Sequence, residues 1–254
     1  MSTHDEHPLH ENNTIAHFAI NIQGLSKRYA ENRKFVLKDF DLQVPHGQFI
    51  AIMGPSGCGK STLLNQIGAM DVPTEGKVNV LGKDLATLEE DAKAQLRRDG
   101  LGYVFQFFNL LPTLTVEDNV QLPLDLQGIS GKKARYLVSD SLKSVGILET
   151  LKQYPSQLSG GQMQRVAIAR ATVHNPKLIL ADEPTGNLDS ESGSQILDLL
   201  LMRCRDLGAT VVMVTHSEEA AMQADRLIRL KDGRIVEDRL LRDALSAYAV
   251  ASLS

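Results

Sequence analysis

The sequence predicts an α/β fold in which a largely parallel sheet is covered by helices on both faces. Three observations carry that expectation. Strand-like and helix-like segments alternate through the second half of the chain, the pattern that builds parallel sheets through helical crossovers. Phe49-Ile50-Ala51-Ile52-Met53 is an uninterrupted apolar run, which suits a strand buried on both faces. The run stops abruptly at Gly54-Pro55-Ser56-Gly57-Cys58-Gly59-Lys60-Ser61-Thr62, and Leu63, Leu64 and Ile67 then recur at helical spacing.

The elements follow in order. Residues 1–17 are polar, carry His4, His7 and His10, and read as a solvated tail without the apolar core of a secretory signal. Phe18, Ile20 and Ile22, and then Phe40, Leu42 and Val44, alternate with small or polar residues as strands do. Pro45-His46-Gly47 signals a turn into the apolar run. From about Thr87 to Gln157 the chain reads mainly as helices, with Ala92 to Arg98 and Lys132 to Val145 the clearest, and a strand at Gly102 to Phe105 before Gln106. Alternation then resumes: a strand at Lys177 to Ala181, a helix at Ser192 to Leu207, a strand at Thr210 to Thr215, a helix at Glu218 to Ala224 and a strand at Arg226 to Leu230. Asp232-Gly233 predicts a hairpin turn into Arg234 to Val236. Arg239 to Ser254 reads as an amphipathic helix. No internal repeat is visible.

Composition bounds the function. The chain has 254 residues, 43% of them apolar, which fits one large domain or two small lobes with a packed core. Its net charge of −4 weighs against DNA or RNA as the main partner. Cys58 and Cys204 lie far apart in sequence, so neither a zinc site nor a disulfide framework is expected, and a reducing cytoplasm is the natural compartment. No stretch approaches the roughly 18 consecutive apolar residues of a membrane span. A membrane role must therefore come through a partner.

Three motifs carry chemistry. Gly54-x-x-x-x-Gly59-Lys60-Ser61, between a strand and a helix, matches the phosphate-loop pattern. Its glycines let the backbone amides turn inward as an anion nest, and the following helix adds its positive end. Lys60 is a point charge for the β- and γ-phosphates, and Ser61 offers a hydroxyl to Mg²⁺. Cys58, within the loop, is expected to contribute through its backbone, with a redox role the lesser alternative. The second motif, Leu178-Ile179-Leu180-Ala181-Asp182-Glu183, is an apolar strand ending in two acids. Asp182 suits the Mg²⁺ shell and Glu183 suits polarising the attacking water. In the third, Leu158-Ser159-Gly160-Gly161-Gln162, Ser159 is placed to cap a helix with Gln162 as its capping-box partner. A glycine-opened helix start is a second anion site, and within one chain it has no evident phosphate to serve.

With these three motifs in this order the chain resembles the ATP-binding subunits of ABC transporters, over roughly Ile20 to Glu237. The resemblance implies a P-loop NTPase of the ABC type. Such a domain has a mainly parallel core sheet, an antiparallel β subdomain and a helical subdomain inserted at about 90–165, within a domain spanning 18–238. It implies that ATP and Mg²⁺ are bound. It also implies that two copies pack head to tail, so that Ser159, Gly160, Gly161 and Gln162 of each cover the γ-phosphate held by the other. Further roles come with it: Tyr29 stacking on adenine, Gln106 touching metal and water, Asp189 linking the two sites, and His216 contacting the γ-phosphate. Two stretches, residues 104–120 and 181–190, resemble the lipoprotein-release and macrolide-export branch, LolD and MacB. In that branch the ATPase works with an integral-membrane permease at the cytoplasmic face of the cell membrane, and no nucleic acid is expected. The rival from another class is an ABC ATPase outside transport, a cell-division regulator or a DNA- or ribosome-associated protein.

Overall fold

The computed structural model describes residues 18–30 and 34–242. The expected tail with His4, His7 and His10 lies outside the described residues, as do residues 243–254 of the expected C-terminal helix. The strands are β1 (Phe18–Lys27), β2 (Leu37–Pro45), β3 (Phe49–Met53), β4 (Glu75–Val80), β5 (Lys83–Asp84), β6 (Leu101–Val104), β7 (Leu178–Asp182), β8 (Thr210–Val214), β9 (Arg226–Lys231) and β10 (Arg234–Leu240). The helices are α1 (Lys60–Ile67), α2 (Glu90–Gly100), α3 (Val116–Leu126), α4 (Gly131–Ser144), α5 (Gly160–Thr172), α6 (Ser190–Asp206) and α7 (Glu218–Ala221).

The core sheet has six strands in the order β10-β9-β3-β8-β7-β6. Five run parallel, and β10 pairs antiparallel with β9 at one edge. The two-residue turn at Asp232 and Gly233, both at positive φ, joins those two as the sequence predicts. A second, antiparallel sheet has the order β2-β1-β4-β5.

Strand periodicity divides the interior into two cores. Every residue of β3 and β8 is buried. Ala51 and Met53 point to one face, with Ile179, Ala181, Val211 and Met213, and meet α3, α4, α5 and α6. Ile50 and Ile52 point to the other, with Leu178, Leu180, Val212 and Val214, and meet α1 and the antiparallel sheet. Each Val, Leu, Ile or Met side chain among these contributes about 1.5–3 kcal/mol by leaving water. A one-residue slip of β3 would exchange its two faces, so the register that fixes the edge of the sheet is strongly held.

The helices stop and start within two residues of their predicted ends, except α7, which closes at Ala221 instead of continuing to Ala224. Three elements are additional: β4, β5 and α3. β4 joins the antiparallel sheet by pairing Ile20 with Val80 and Ile22 with Val78. α3 opens on a capping box between Thr115 and Asp118 and carries Pro123 inside its last turn. β6 belongs to the core sheet although it falls within the interval 90–165 expected for the helical insertion. The last strand extends to Leu240, so Arg239 and Leu240, expected to open the C-terminal helix, instead pair with Leu227 and Arg226 of β9.

Candidate functional site

Parallel strands place their carboxyl ends on one edge, and the predicted residues collect there because each follows such an end. β3 ends at Met53 and opens into Gly54–Ser61. β8 ends at Val214, followed by Thr215 and His216. β7 ends at Asp182, followed by Glu183. β6 ends at Val104, followed by Phe105 and Gln106. Along the edge these come in the order β3, β8, β7, β6, with Ile52 opposite Val214 and Asp182 also opposite Val214.

The loop is wound on itself and on the protein beneath it. Lys60 Nζ donates to Gly54 O at 2.7 Å and to Pro55 O at 3.1 Å, so the chain circles the ammonium group. Gly59 caps α1 in the left-handed region, at φ 109°, and Gly57 lies at φ 79°. A side chain on Gly54 would bring its Cβ to 2.3 Å from Leu230 O and 2.7 Å from Cys58 Sγ. Cys58 is buried beneath the loop, and its carbonyl accepts from Gly233 N–H at 3.1 Å. That leaves Pro55, Ser56 and Gly57 exposed above it, with Ser61 exposed and Thr62 half-buried at the start of α1. Tyr29 is exposed and its hydroxyl donates to Thr62 Oγ1 at 3.2 Å, which places an aromatic ring beside the loop.

The acidic pair is held by backbone. Glu183 N–H donates to Val214 O at 2.9 Å, and the residue adopts φ 48°, an uncommon conformation for a side-chain-bearing residue. Its Oε1 lies 2.8 Å from His216 Nε2. Burial raises the Glu183 carboxyl above its ordinary value, with His216 and Lys60 pulling the other way and Asp182 adding to the rise. Asp182 is raised by burial as well, and Lys60 and His216 oppose it. Lys60, Asp182, Glu183 and His216 therefore share one electrostatic neighbourhood. Gln106 lies against the loop after Glu183: its Nε2 is 3.0 Å from where a Cβ on Gly186 would stand, and its carbonyl accepts from Asn187 Nδ2 at 2.6 Å.

The third motif sits elsewhere. Ser159 Oγ accepts from Gln162 N–H at 3.2 Å, and Gln162 Oε1 accepts from Ser159 N–H at 3.0 Å, closing the expected capping box at the start of α5. Gly160 abuts the loop after Glu183, with a Cβ there meeting Leu188 at 3.3 Å, and Gly161 faces open space. Among the described residues, no hydrogen bond joins Ser159, Gly160, Gly161 or Gln162 to the loop at 54–62. Asp189 is exposed, caps α6 by accepting from Ser192 N–H at 2.9 Å, and is held below the usual carboxylate range by that bond.

Two residues that sequence reasoning passed over tie these parts together. Gln164 is fully buried in α5 and donates to Pro184 O at 2.7 Å, fixing the turn after Glu183. Arg170, also in α5, donates to Phe108 O at 2.7 Å and Asn109 O at 2.6 Å, holding two successive left-handed residues just after Gln106. For Gln164 the available signal is a polar side chain on the buried face of α5, beside Val166, Ala167 and Ile168. Beside Gln106 a groove of about 430 Å³ runs between Met70, Phe105, Leu122, Leu126, Arg170 and His174.

The donor set suits a hard cation. Asp182 and Ser61 offer oxygens, and among the described residues no group of three or more His, Cys, Asp or Glu forms a self-sufficient metal cage. Mg²⁺ is commonly held by one or two carboxylates together with substrate phosphates, which is the kind of partial shell present here.

Comparison with known proteins identifies the family. The family model described as "ABC transporter" matches residues 37–186. An uncharacterized ABC transporter ATP-binding protein of Mycobacterium tuberculosis is 47% identical over 82% of this chain and 84% of its own length. The macrolide export ATP-binding/permease protein MacB of Bdellovibrio bacteriovorus is 48% identical over 91% of this chain, which spans 36% of that longer protein. Among solved structures, the dimeric post-hydrolysis state of the ATP-binding cassette MJ0796 bound to ADP and Pi superposes with a TM-score of 0.81 at 43% identity, covering 88% of this chain and 99% of that one. CbiO1 from Clostridium perfringens, part of an ABC transporter complex, gives 0.82 at 27% identity, covering 93% and 94%. The chain belongs to the ABC transporter family, as one of its ATP-binding, ATP-hydrolysing members.

Proposed function

We propose that two copies of this chain close head to tail on two molecules of ATP and thereby drive a separate membrane permease of the LolD/MacB type. One observation carries the proposal. The capped, glycine-opened start of α5 presents N–H groups with no phosphate loop of its own chain bonded to it. An anion site without an anion in its own chain is completed by a second copy. The cassette MJ0796 was solved as a dimer, which supports the same arrangement.

In this reading the amides of Gly54 to Thr62 and the start of α1 hold the phosphates, and Lys60 places its charge on the β- and γ-phosphates. Tyr29 stacks on adenine. Ser61 and Asp182, with Gln106, would hold Mg²⁺, which supplies charge neutralisation on the phosphates when bound. Glu183 accepts a proton from the attacking water, and His216, 2.8 Å away, orients that carboxylate and contacts the γ-phosphate. Ser159, Gly160, Gly161 and Gln162 of the second copy close the site, and Asp189 links the two. The polyphosphate holds the dimer together; its cleavage releases that hold, and the two copies part.

Among the described residues no helix is long and apolar enough to cross a membrane. In this reading the permease is a separate polypeptide, and the groove beside Gln106 is the face offered to it at the cytoplasmic side of the membrane. The sequences at 104–120 and 181–190 support the LolD/MacB branch, as does the MacB relative's name, which joins an ATP-binding part to a permease. The test is the dependence of specific ATPase activity on protein concentration. Activity per molecule rises steeply with concentration if the site is shared. Concentration-independent activity in a verified monomer contradicts the proposal.

A further inference from the structure

Lys27 ends β1, two residues before Tyr29, and its ammonium group is fixed on three sides. It donates to Asp71 Oδ1 at 2.6 Å and to Val72 O at 2.9 Å, and it lies over the Tyr29 ring, 5.0 Å from the centroid. The two residues differ sharply in exposure: Lys27 is 8% exposed and Tyr29 is 56% exposed. The phenol of Tyr29 is tied to Thr62, directly after the phosphate loop. The ring is thus pinned at its edge by α1, backed by a stationary cation, and otherwise open to water.

A partly buried ion pair is by itself a weak stabiliser, because desolvation consumes much of the attraction. Its placement behind an exposed ring gives it a second use. A cation over one face draws the π density toward itself and leaves the opposite face poorer in electrons. That opposite face then suits the electron-rich surface of a purine. The anchor also removes rotational freedom from the ring before the base arrives, which lowers the ordering cost of binding.

We infer that Lys27, anchored by Asp71, is a positioning residue for the nucleotide base: it holds and polarises the Tyr29 ring against which adenine stacks. The inference rests on the reading of Tyr29 as the stacking residue and adds a determinant of base affinity outside the phosphate loop.

The test compares ATP·Mg²⁺ with inorganic tripolyphosphate, which has the phosphates and no base. Calorimetric titrations would be run on the full chain and on Lys27→Met, Asp71→Asn, Lys27→Arg and Tyr29→Ala. Lys27→Met keeps the aliphatic stem and removes the charge. It is expected to weaken ATP about two- to fivefold while leaving tripolyphosphate unchanged. Lys27→Arg restores ATP affinity. Asp71→Asn keeps the ammonium group but removes the charge that anchors it, leaving the bond to Val72 O, and is expected to shift ATP alone in the same direction. It carries the same test if Lys27→Met does not fold. Equal weakening of both ligands, or unchanged ATP affinity in both variants, overturns the inference. The Tyr29→Ala arm separates the two levels. If it leaves ATP binding unchanged, the stacking reading itself falls. If it weakens ATP while Lys27→Met and Asp71→Asn do not, only the role of Lys27 falls.

Discussion

Glu183→Gln exchanges a carboxylate for an amide of the same shape at the centre of the site. The direction of the side chain is set by backbone that the substitution leaves intact: a left-handed residue whose N–H is bonded to Val214 O. What is lost is the proton-accepting charge 2.8 Å from His216. Removing a positioned general base slows the chemical step by about 10²–10⁴-fold, or about 3–5 kcal/mol of barrier. The phosphate-holding amides and Lys60 are untouched, so ATP binding persists and the closed dimer accumulates. The raised Glu183 carboxyl adds a stability prediction. The folded chain holds this proton more tightly than the unfolded chain does. Its contribution to stability is therefore present below the unfolded value and is lost as pH rises through the raised folded value. At neutral pH the ionised side chain costs stability, so Glu183→Gln raises the Tm of the nucleotide-free protein, and the difference vanishes in acid. Phosphate release at saturating ATP measures the first effect, sedimentation with ATP the second, and thermal melts across pH the third. Turnover within about threefold of wild type would refute the role of Glu183, since that is under 1 kcal/mol of barrier.

Two further substitutions probe the anion sites. Gly57 lies at φ 79° with nothing within 4 Å of an added Cβ, so Gly57→Ala tests backbone conformation without a clash. It is expected to cost about 1–2 kcal/mol of strain and a few degrees of Tm, while ATP affinity measured by calorimetry falls about tenfold because the amides turn out of the nest. Ser159→Ala removes the oxygen that accepts from Gln162 N–H. It is expected to lower stability by about 1 kcal/mol in a denaturant titration and to reduce ATPase activity well beyond the change in ATP affinity, because the lesion lies in the other copy's site.

Local chemistry made much of this legible in the sequence. The phosphate loop, the acidic pair and the capping box at Ser159 each declare themselves within ten residues. The ends of β3 and β7 are marked by the transition from apolar runs to glycine and acid, and that of β8 by the polar Thr215-His216-Ser217. β4 was not legible because Glu75-Gly-Lys-Val-Asn-Val offers only Val78 and Val80 to the core, and its pairing with β1 is set across more than fifty residues. α3 was obscured by Pro123, which the helix tolerates in its last turn. The work of Gln164 and Arg170 could not be read locally, because each bonds to carbonyls twenty or more residues away. Tyr29 stands exposed beside the loop instead of in the core, where an aromatic at a strand end would ordinarily go.

The shared site itself is tested most directly by mixing two inactive proteins, one carrying Lys60→Ala and the other Ser159→Arg. Each homodimer has a lesion in both sites. In a head-to-tail mixed dimer both lesions fall in one site and the other is whole. Random pairing makes half of the dimers mixed, so the mixture is expected to regain up to about a quarter of wild-type ATPase activity. Activity no greater than the sum of the two parent proteins would contradict a site built from the loop of one copy and Ser159 of the other.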